Sequence, residues 1–121
     1  MVHVRIEAPE EDIETDALVD SGATRTLIPR EISEILPSLE YQGRIGEVTG
    51  AGGIFTTKVT RLKRLVLIKD VTPFATFEQV EVLVPEHEGI LPYVVLGRDY
   101  VFRRFDVVFH ERRKKISFIE V

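Results

Sequence analysis

The segment Ala17-Leu18-Val19-Asp20-Ser21-Gly22-Ala23-Thr24 places one carboxylate where an apolar strand gives way to a turn. Strands favour β-branched and apolar residues and disfavour aspartate, so the apolar residues predict a buried strand that ends at Asp20. Gly22 permits a sharp turn or a close approach of a second chain, and the Ser21 hydroxyl can bond a neighbouring backbone group. Taken alone, the segment fits a strand-ending Asx turn and a catalytic loop equally well.

Two further stretches follow this loop along the chain. Gly50-Ala51-Gly52-Gly53 lies between two β-prone runs, and Tyr93-Val94-Val95-Leu96-Gly97 is an apolar strand closed by glycine. Together with the Asp20 loop, these stretches resemble the retropepsin-like aspartic proteases of clan AA, which are single-domain, homodimeric relatives of the pepsins. In that family an Asp-Thr/Ser-Gly-Ala loop, a glycine-rich flap and an aliphatic-aliphatic-Gly strand before a helix occur in this order. The resemblance covers nearly the whole chain and implies an all-β fold, a closed β-barrel or sandwich with a flap hairpin and one or two short helices.

Composition predicts a single globular domain over residues 1–121. Hydrophobic residues make up 44% and charged residues 30%, which excludes a disordered chain. The chain has no cysteine, which excludes disulfides, a cysteine nucleophile and thiolate zinc sites. His3, His87 and His110 lack the short spacing of metal ligands, so we predict neither a metal nor another cofactor.

Neither a membrane nor a nucleic acid is predicted as a partner. Val2, Val4 and Ile6 alternate with polar residues as in a strand, unlike a signal peptide, and no apolar run approaches the roughly 18 residues of a membrane span. The basic run at residues 111–115 fits a solvated hairpin tip, since the net charge is −4 and no aromatic platform accompanies it. We therefore expect a cytoplasmic protein.

Hydrophobic periodicity predicts the remaining elements. The first strand and the strand before Asp20 form an opening hairpin, and a helix of about two turns is predicted over residues 29–36, where Pro29 suits the first turn. A second short helix is predicted over residues 100–104, with Asp99 as its N-cap. The other predicted strands are 42–48, 54–62, 65–68, 80–84, 93–96, 105–109 and 116–119.

The resemblance implies that Asp20 is the catalytic acid. The chain has one such loop, so the second carboxylate must come from an identical chain across a two-fold axis. The partners implied are a second copy and a peptide or protein substrate. Ser21 would bond across the interface, Gly22 would bring its backbone carbonyl to the substrate, and Ala23 is the small residue beside the acid. The terminal strands 2–7 and 116–121 would contribute to the interface.

Residues 50–53 correspond by resemblance to the flap, with Ala51 near its tip. Tyr93 and Val95 fit substrate pockets and the core equally well, while Gly97, Arg98 and Asp99 are structural residues near the site. Retroviral members place an acid soon after the catalytic loop, where it pairs with the arginine that matches Arg98. Here that neighbourhood is Thr24-Arg25, so a partner for Arg98 must come from elsewhere.

Two other functions remain open from the residues themselves. The chain could keep the protease fold as a weak or inactive dimerisation or peptide-binding module, or Asp20 could only end a turn in a regulatory β-domain. The intact sequence Asp20-Ser21-Gly22-Ala23 favours the endopeptidase.

Overall fold

The computed structural model describes residues 1–50 and 53–121 of the chain. Strands dominate this part and its helices are short, which confirms the all-β prediction. A short 3-10 helix at Glu111–Arg113 joins the last two strands. The elements in chain order are β1 (Val2–Glu7), β2 (Asp12–Val19), α1 (Arg30–Glu34), β3 (Tyr41–Gly50), β4 (Gly53–Lys69), β5 (Thr72–Pro85), β6 (Val94–Leu96), α2 (Val101–Arg104), β7 (Phe105–His110) and β8 (Lys115–Glu120).

Six strands form one sheet in the order β3-β4-β1-β2-β6, with β5 also paired to β4. Within the described residues this sheet is open and does not close into a barrel. The opening hairpin is confirmed, since Glu7 of β1 lies opposite Asp12 of β2. The other edge of β1 pairs with β4 from His3 to Glu7, so both edges of these residues are paired within the chain. β2 and β6 run parallel with Val19 opposite Leu96, which brings Asp20 close to Gly97.

One long strand, β4, replaces the two strands predicted over 54–62 and 65–68, and this prediction was wrong. The strand has 17 residues and continues through Lys63 and Arg64. Arg64 stays compatible with the sheet because its Nη1 lies 3.0 Å from Glu7 Oε1 on the neighbouring strand. β3 pairs with the first part of β4, and β1 takes over the same edge at residues 64–68. β4 therefore joins the glycine-rich hairpin to the main sheet.

The core has a large and a small cluster. The large cluster lies between the sheet, α1, α2 and the β7–β8 hairpin, and fully buried Ile6, Leu65 and Leu96 belong to it. Each such side chain stabilises the fold by about 1.5–3 kcal/mol. The small cluster contains Leu27, Val59, Leu83 and Val95.

Both helices begin close to their predicted starts and are short. α1 has five residues after Pro29, whereas about two turns were predicted. In α2, Tyr100 occupies the N-cap position and no side chain caps the helix, so the predicted capping role of Asp99 was wrong. No helix in the described part of the chain is long and apolar enough to cross a membrane.

The two C-terminal strands and the hairpin tip between them were predicted, and the structure shows that β7 and β8 form a separate two-stranded sheet. It is anchored through Phe118, whose ring centroid lies 5.4 Å from that of Phe74 on β5. Arg104 adds a second anchor, because its guanidinium stacks on Phe77 at 5.5 Å and donates to the Thr76 carbonyl. One face of the hairpin thus packs on the body of the protein.

Candidate functional site

The Asp20 carboxylate lies at the end of β2 in a tight hydrogen-bonded loop. The Asp20 N–H donates to the Leu96 carbonyl at 3.1 Å, and the Ala23 N–H donates to the Asp20 carbonyl at 3.2 Å. Carboxylate Oδ1 accepts the Gly22 N–H at 2.9 Å, which is an Asx turn. Oδ2 has no hydrogen-bond partner among the described residues. The turn therefore holds the half-buried carboxylate by one oxygen and leaves the other free for chemistry.

Gly97 lets the strand β6 pass against the backbone of the Asp20 loop. A Cβ atom at this position would overlap the Arg25 carbonyl and lie 2.9 Å from the Ala23 carbonyl oxygen. The next residue, Arg98, donates its N–H to that same Ala23 carbonyl at 2.9 Å. Only glycine allows this approach, so Gly97 supports the loop through backbone contact.

Thr26 and Asp99 form a buried polar link behind the loop, and sequence reasoning did not single out Thr26. The fully buried Thr26 donates its N–H to Asp99 Oδ2 at 3.0 Å and its hydroxyl to Oδ1 at 2.7 Å. Its hydroxyl oxygen also accepts the Gly97 N–H at 3.3 Å. Asp99 thus binds the loop and not the helix that follows it. The only signal in the sequence was a polar residue at the start of an apolar run.

Two acidic side chains, those of Glu81 and Asp99, flank Arg25 two residues after Ala23. Arg25 Nη2 donates to Glu81 Oε1 at 2.7 Å, and its Nε lies 3.4 Å from Asp99 Oδ2. Arg61 approaches Glu81 at 3.8 Å. Arg98 is exposed, and no ion pair joins it to another described residue. The ion pair beside the loop therefore uses Arg25 and Asp99, and Arg98 takes no part in it.

The Asp20 loop opens into a groove of about 1030 Å³. Both predicted pocket residues line it: Tyr93 is 42% exposed, while Val95 is 9% exposed and also belongs to the small core cluster. Gly50 and Gly53 pair at the ends of β3 and β4, and Ala51 and Gly52 lie outside the described residues. The other described residues that line the groove are Leu18, Gly22, Ala23, Thr24, Arg25, Leu27, Gly46, Glu47, Val48, Thr49, Ile54, Phe55, Thr57, Val59, Leu83, Gly89, Ile90, Leu91 and Pro92.

None of the three histidines, all within the described part of the chain, lines this groove. His3 bonds Glu14 at 2.8 Å and Asp16 at 3.2 Å on the exposed face of the opening hairpin, and these hydrogen bonds raise the pKa of His3. His110 bonds the Ser117 hydroxyl at 3.0 Å. In residues 1–50 and 53–121, no group of three or more histidine, aspartate or glutamate side chains could hold a metal ion.

Comparison with known proteins agrees with this geometry. Residues 2–100 match a family model described as "Aspartyl protease". The chain is similar to EIAV protease complexed with the inhibitor HBY-793, with a TM-score of 0.54 and 22% identity over 85% of this chain and 86% of that one. It is also similar to a retropepsin-like aspartic protease from Rickettsia conorii, with a TM-score of 0.53 and 18% identity over 90% of this chain and 75% of that one. At these identities the structural likeness shows the fold. A search of curated proteins gives no match.

Proposed function

The chain belongs to the aspartyl protease family, and from that premise we propose that it is an aspartic endopeptidase whose active site forms between two copies. The observation that carries this proposal is the Asp20 carboxylate beside the groove, held at Oδ1 by the Gly22 N–H and without a partner at Oδ2 among the described residues. The groove is large enough for an extended peptide segment.

Peptide hydrolysis by carboxylates requires two of them sharing one proton, for which aspartic proteases are the standard example. The ionised Asp20 of one copy takes a proton from water, whose oxygen attacks the scissile carbonyl carbon. The protonated Asp20 of the other copy donates to the carbonyl oxygen. Collapse of the tetrahedral intermediate breaks the C–N bond, the leaving nitrogen takes the proton that the first Asp20 received from water, and a hydroxyl of the intermediate returns a proton to the second Asp20. Each copy supplies one acid, so the monomer has half of the machinery.

The residues around the acid take supporting roles in this proposal. The exposed Ser21 bonds across the interface, the Gly22 carbonyl receives the substrate backbone, and Ala23 leaves room beside the acid. The glycine-rich segment 50–53 acts as a flap that closes over the bound peptide, since glycine permits both the turn and the opening motion. Tyr93 and Val95 contact substrate side chains from the groove wall.

Residues 1–121 form a single domain in this proposal. The β7–β8 hairpin of each copy forms the dimer interface. Its outer face carries Val108 and Ile119, which are 38% and 54% exposed, and Val121 is 78% exposed beyond it. Strand 2–7 contributes to the interface in this proposal through surface other than its strand edges, because the edges of residues 3–7 are paired within the chain. A cytoplasmic location stays a prediction from the sequence.

Substitution Asp20→Asn tests the assignment. It keeps the size of the side chain and its bond to Gly22 but removes the shared proton, so peptide cleavage should fall by a factor of about 10³ or more. Asp70→Asn, in the exposed turn between β4 and β5, is the matched control and should keep full activity. Cleavage by purified wild-type protein should be bell-shaped in pH, because both full protonation and full ionisation of the pair are inactive.

Cleavage that survives Asp20→Asn in a clean preparation would contradict the catalytic assignment. A wild-type protein that binds peptides and dimerises but never cleaves them would favour the non-catalytic binding module. Binding can be measured by fluorescence anisotropy of labelled peptides on the same samples.

A further inference from the structure

Arg25 brings a positive charge to the substrate groove. Among the described residues that line the groove, the charged ones are Asp20, Glu47 and Arg25, so Arg25 is the cation of this set. Its side chain is 38% exposed, which leaves part of the guanidinium accessible to a ligand. It lies five positions after the acid, on the same loop. A bound peptide that reaches Asp20 therefore passes close to Arg25.

The guanidinium of Arg25 is held in a defined orientation from behind. Nη2 donates to Glu81 Oε1 at 2.7 Å from β5, and Nε lies 3.4 Å from Asp99 Oδ2. The Glu81 and Asp99 side chains are 24% and 13% exposed, so these contacts lie largely out of water and are weakly screened. Nη1 has no hydrogen-bond partner among the described residues. A guanidinium oriented in this way loses little freedom when its remaining N–H groups bind a ligand.

Two carboxylates, those of Glu81 and Asp99, pair with Arg25 on its inner side. These ion pairs weaken the field of the guanidinium at a distance, so Arg25 acts on a substrate mainly through contact. Direct contact still lets Arg25 distinguish one substrate side chain from another, because its free N–H groups bind a hydrogen-bond acceptor and not a donor. The charge-assisted bond to an ionised acceptor is shorter and stronger than a neutral hydrogen bond. Selection by contact is confined to the substrate position that reaches the guanidinium.

We propose that Arg25 selects substrates with an acidic side chain close to the scissile bond. This inference rests on the proposed endopeptidase function and names its substrate class. A two-fold dimer contains two Arg25 side chains, one on either side of the Asp20 pair. The acidic residue is therefore favoured at equivalent positions on both the N-terminal and the C-terminal side of the cleaved bond, next to apolar residues that suit the rest of the groove.

A peptide series with an apolar pair at the cleavage site tests this selectivity. Each flanking position is occupied in turn by Glu, Gln or Lys, and kcat and KM are measured separately. Wild type should favour Glu over Lys by about tenfold at one position on each side, the order of one partly screened charged contact. The gain should appear in KM with kcat unchanged, because the contact is equally strong before and during reaction. It should shrink in high salt.

Variants of Arg25 assign the effect to this side chain. Arg25→Gln should remove the preference, Arg25→Lys should keep part of it, and Arg25→Glu should reverse it. Arg61→Gln is the matched control, because it removes another cation beside Glu81 from outside the groove lining and should leave the preference unchanged. Circular dichroism and dimer mass verify that each variant is folded, and the salt dependence of wild type tests the contact without any variant.

Three outcomes would overturn the proposal. Wild type could cleave the Glu, Gln and Lys peptides equally well, or Arg25→Gln could weaken all three to the same extent. In both cases the endopeptidase function stands and only the selectivity fails. If wild type cleaves none of the peptides over the whole pH range, the proposed function fails together with this inference.

Discussion

The Asp20 loop and the outer face of the β7–β8 hairpin differ in how many stabilising contacts a single copy of the chain gives them. The loop is held by backbone bonds to Leu96 and Arg98 and by the buried link between Thr26 and Asp99. The outer face of the hairpin keeps Val108 and Ile119 exposed. The support of the loop thus comes from a single copy, whereas the hairpin has apolar surface left over.

Under the proposed function, folding and assembly depend on different regions. The proposal requires rigid support of the acid within the monomer, because a carboxylate that acts by position must be held before a second copy binds. It uses the exposed apolar face for association, since burying that face within one chain would remove the driving force for pairing. The two regions should therefore respond differently to mutation, the loop in stability and the hairpin face in assembly.

The largest effect on stability should come from Gly97→Ala. The added Cβ overlaps the Arg25 carbonyl, and because the neighbour is backbone, relief requires the whole loop to shift, at a cost of about 3 kcal/mol or more. Gly43→Ala is the matched control, since nothing lies within 4 Å of its Cβ position. Urea unfolding of both variants checks the prediction, and equal midpoints would show that the loop is not tightly braced.

Thr26→Val should have the next largest effect. The substitution keeps the shape but leaves Asp99 Oδ1 and the Gly97 N–H without their partner, which costs about 2 kcal/mol in the free energy of unfolding. Thr60→Val removes a single bond, to the Glu40 carbonyl, and should cost about 1 kcal/mol. A Thr60 variant as unstable as the Thr26 variant would argue against a special link behind the loop.

Ile119→Arg should act on assembly and spare the fold. If the outer face of the hairpin forms the interface as proposed, the substitution adds one positive charge from each copy to that interface, so the dimer dissociation constant should rise by about tenfold or more. Ile35→Arg is the comparison, because Ile35 is 58% exposed against 54% for Ile119 but lies beside α1. Sedimentation velocity over a concentration series measures the constant. Dimers that tolerate Ile119→Arg and dissociate with Ile35→Arg would move the interface to α1.

The smallest effect should be the pH dependence of His3→Gln on the opening hairpin. Hydrogen bonds from the His3 ring to the Glu14 and Asp16 carboxylates raise the pKa of His3 in the folded protein, so its protonated form stabilises the fold. That stabilisation is fully present below the unfolded pKa of about 6.5 and is lost as pH rises through the folded pKa. The melting temperature of wild type should exceed that of the variant more at about pH 5 than at about pH 9.

High salt should reduce this difference for His3, because the pair is exposed and screened. A gap in melting temperature that grows with pH would have the wrong sign and would show that the two carboxylates do not act on His3 in the folded protein.

Local sequence determined the features that depend on neighbours along the chain. The apolar run before Asp20 predicted an acid at a strand end, the glycine at position 97 predicted the end of an apolar strand, and the alternation in the first strand predicted part of a hairpin. In each case the signal lies within a few residues, because strand periodicity and turn chemistry are local properties. The order of the three motifs then implied the family, which residues 2–100 confirm.

Tertiary structure alone decided which distant polar groups meet. Asp99 lies 73 positions after Thr26, and Glu81 lies 56 positions after Arg25, so no local pattern could pair them. A residue such as Asp99 satisfies a local rule as a helix cap, but the buried Thr26 offers it two hydrogen bonds, and those contacts prevail over the cap. Likewise β4 continues past Lys63 because β5 pairs with it on both sides of that residue and β1 pairs with it from Arg64 onward, a condition set by partners that lie far away in the sequence.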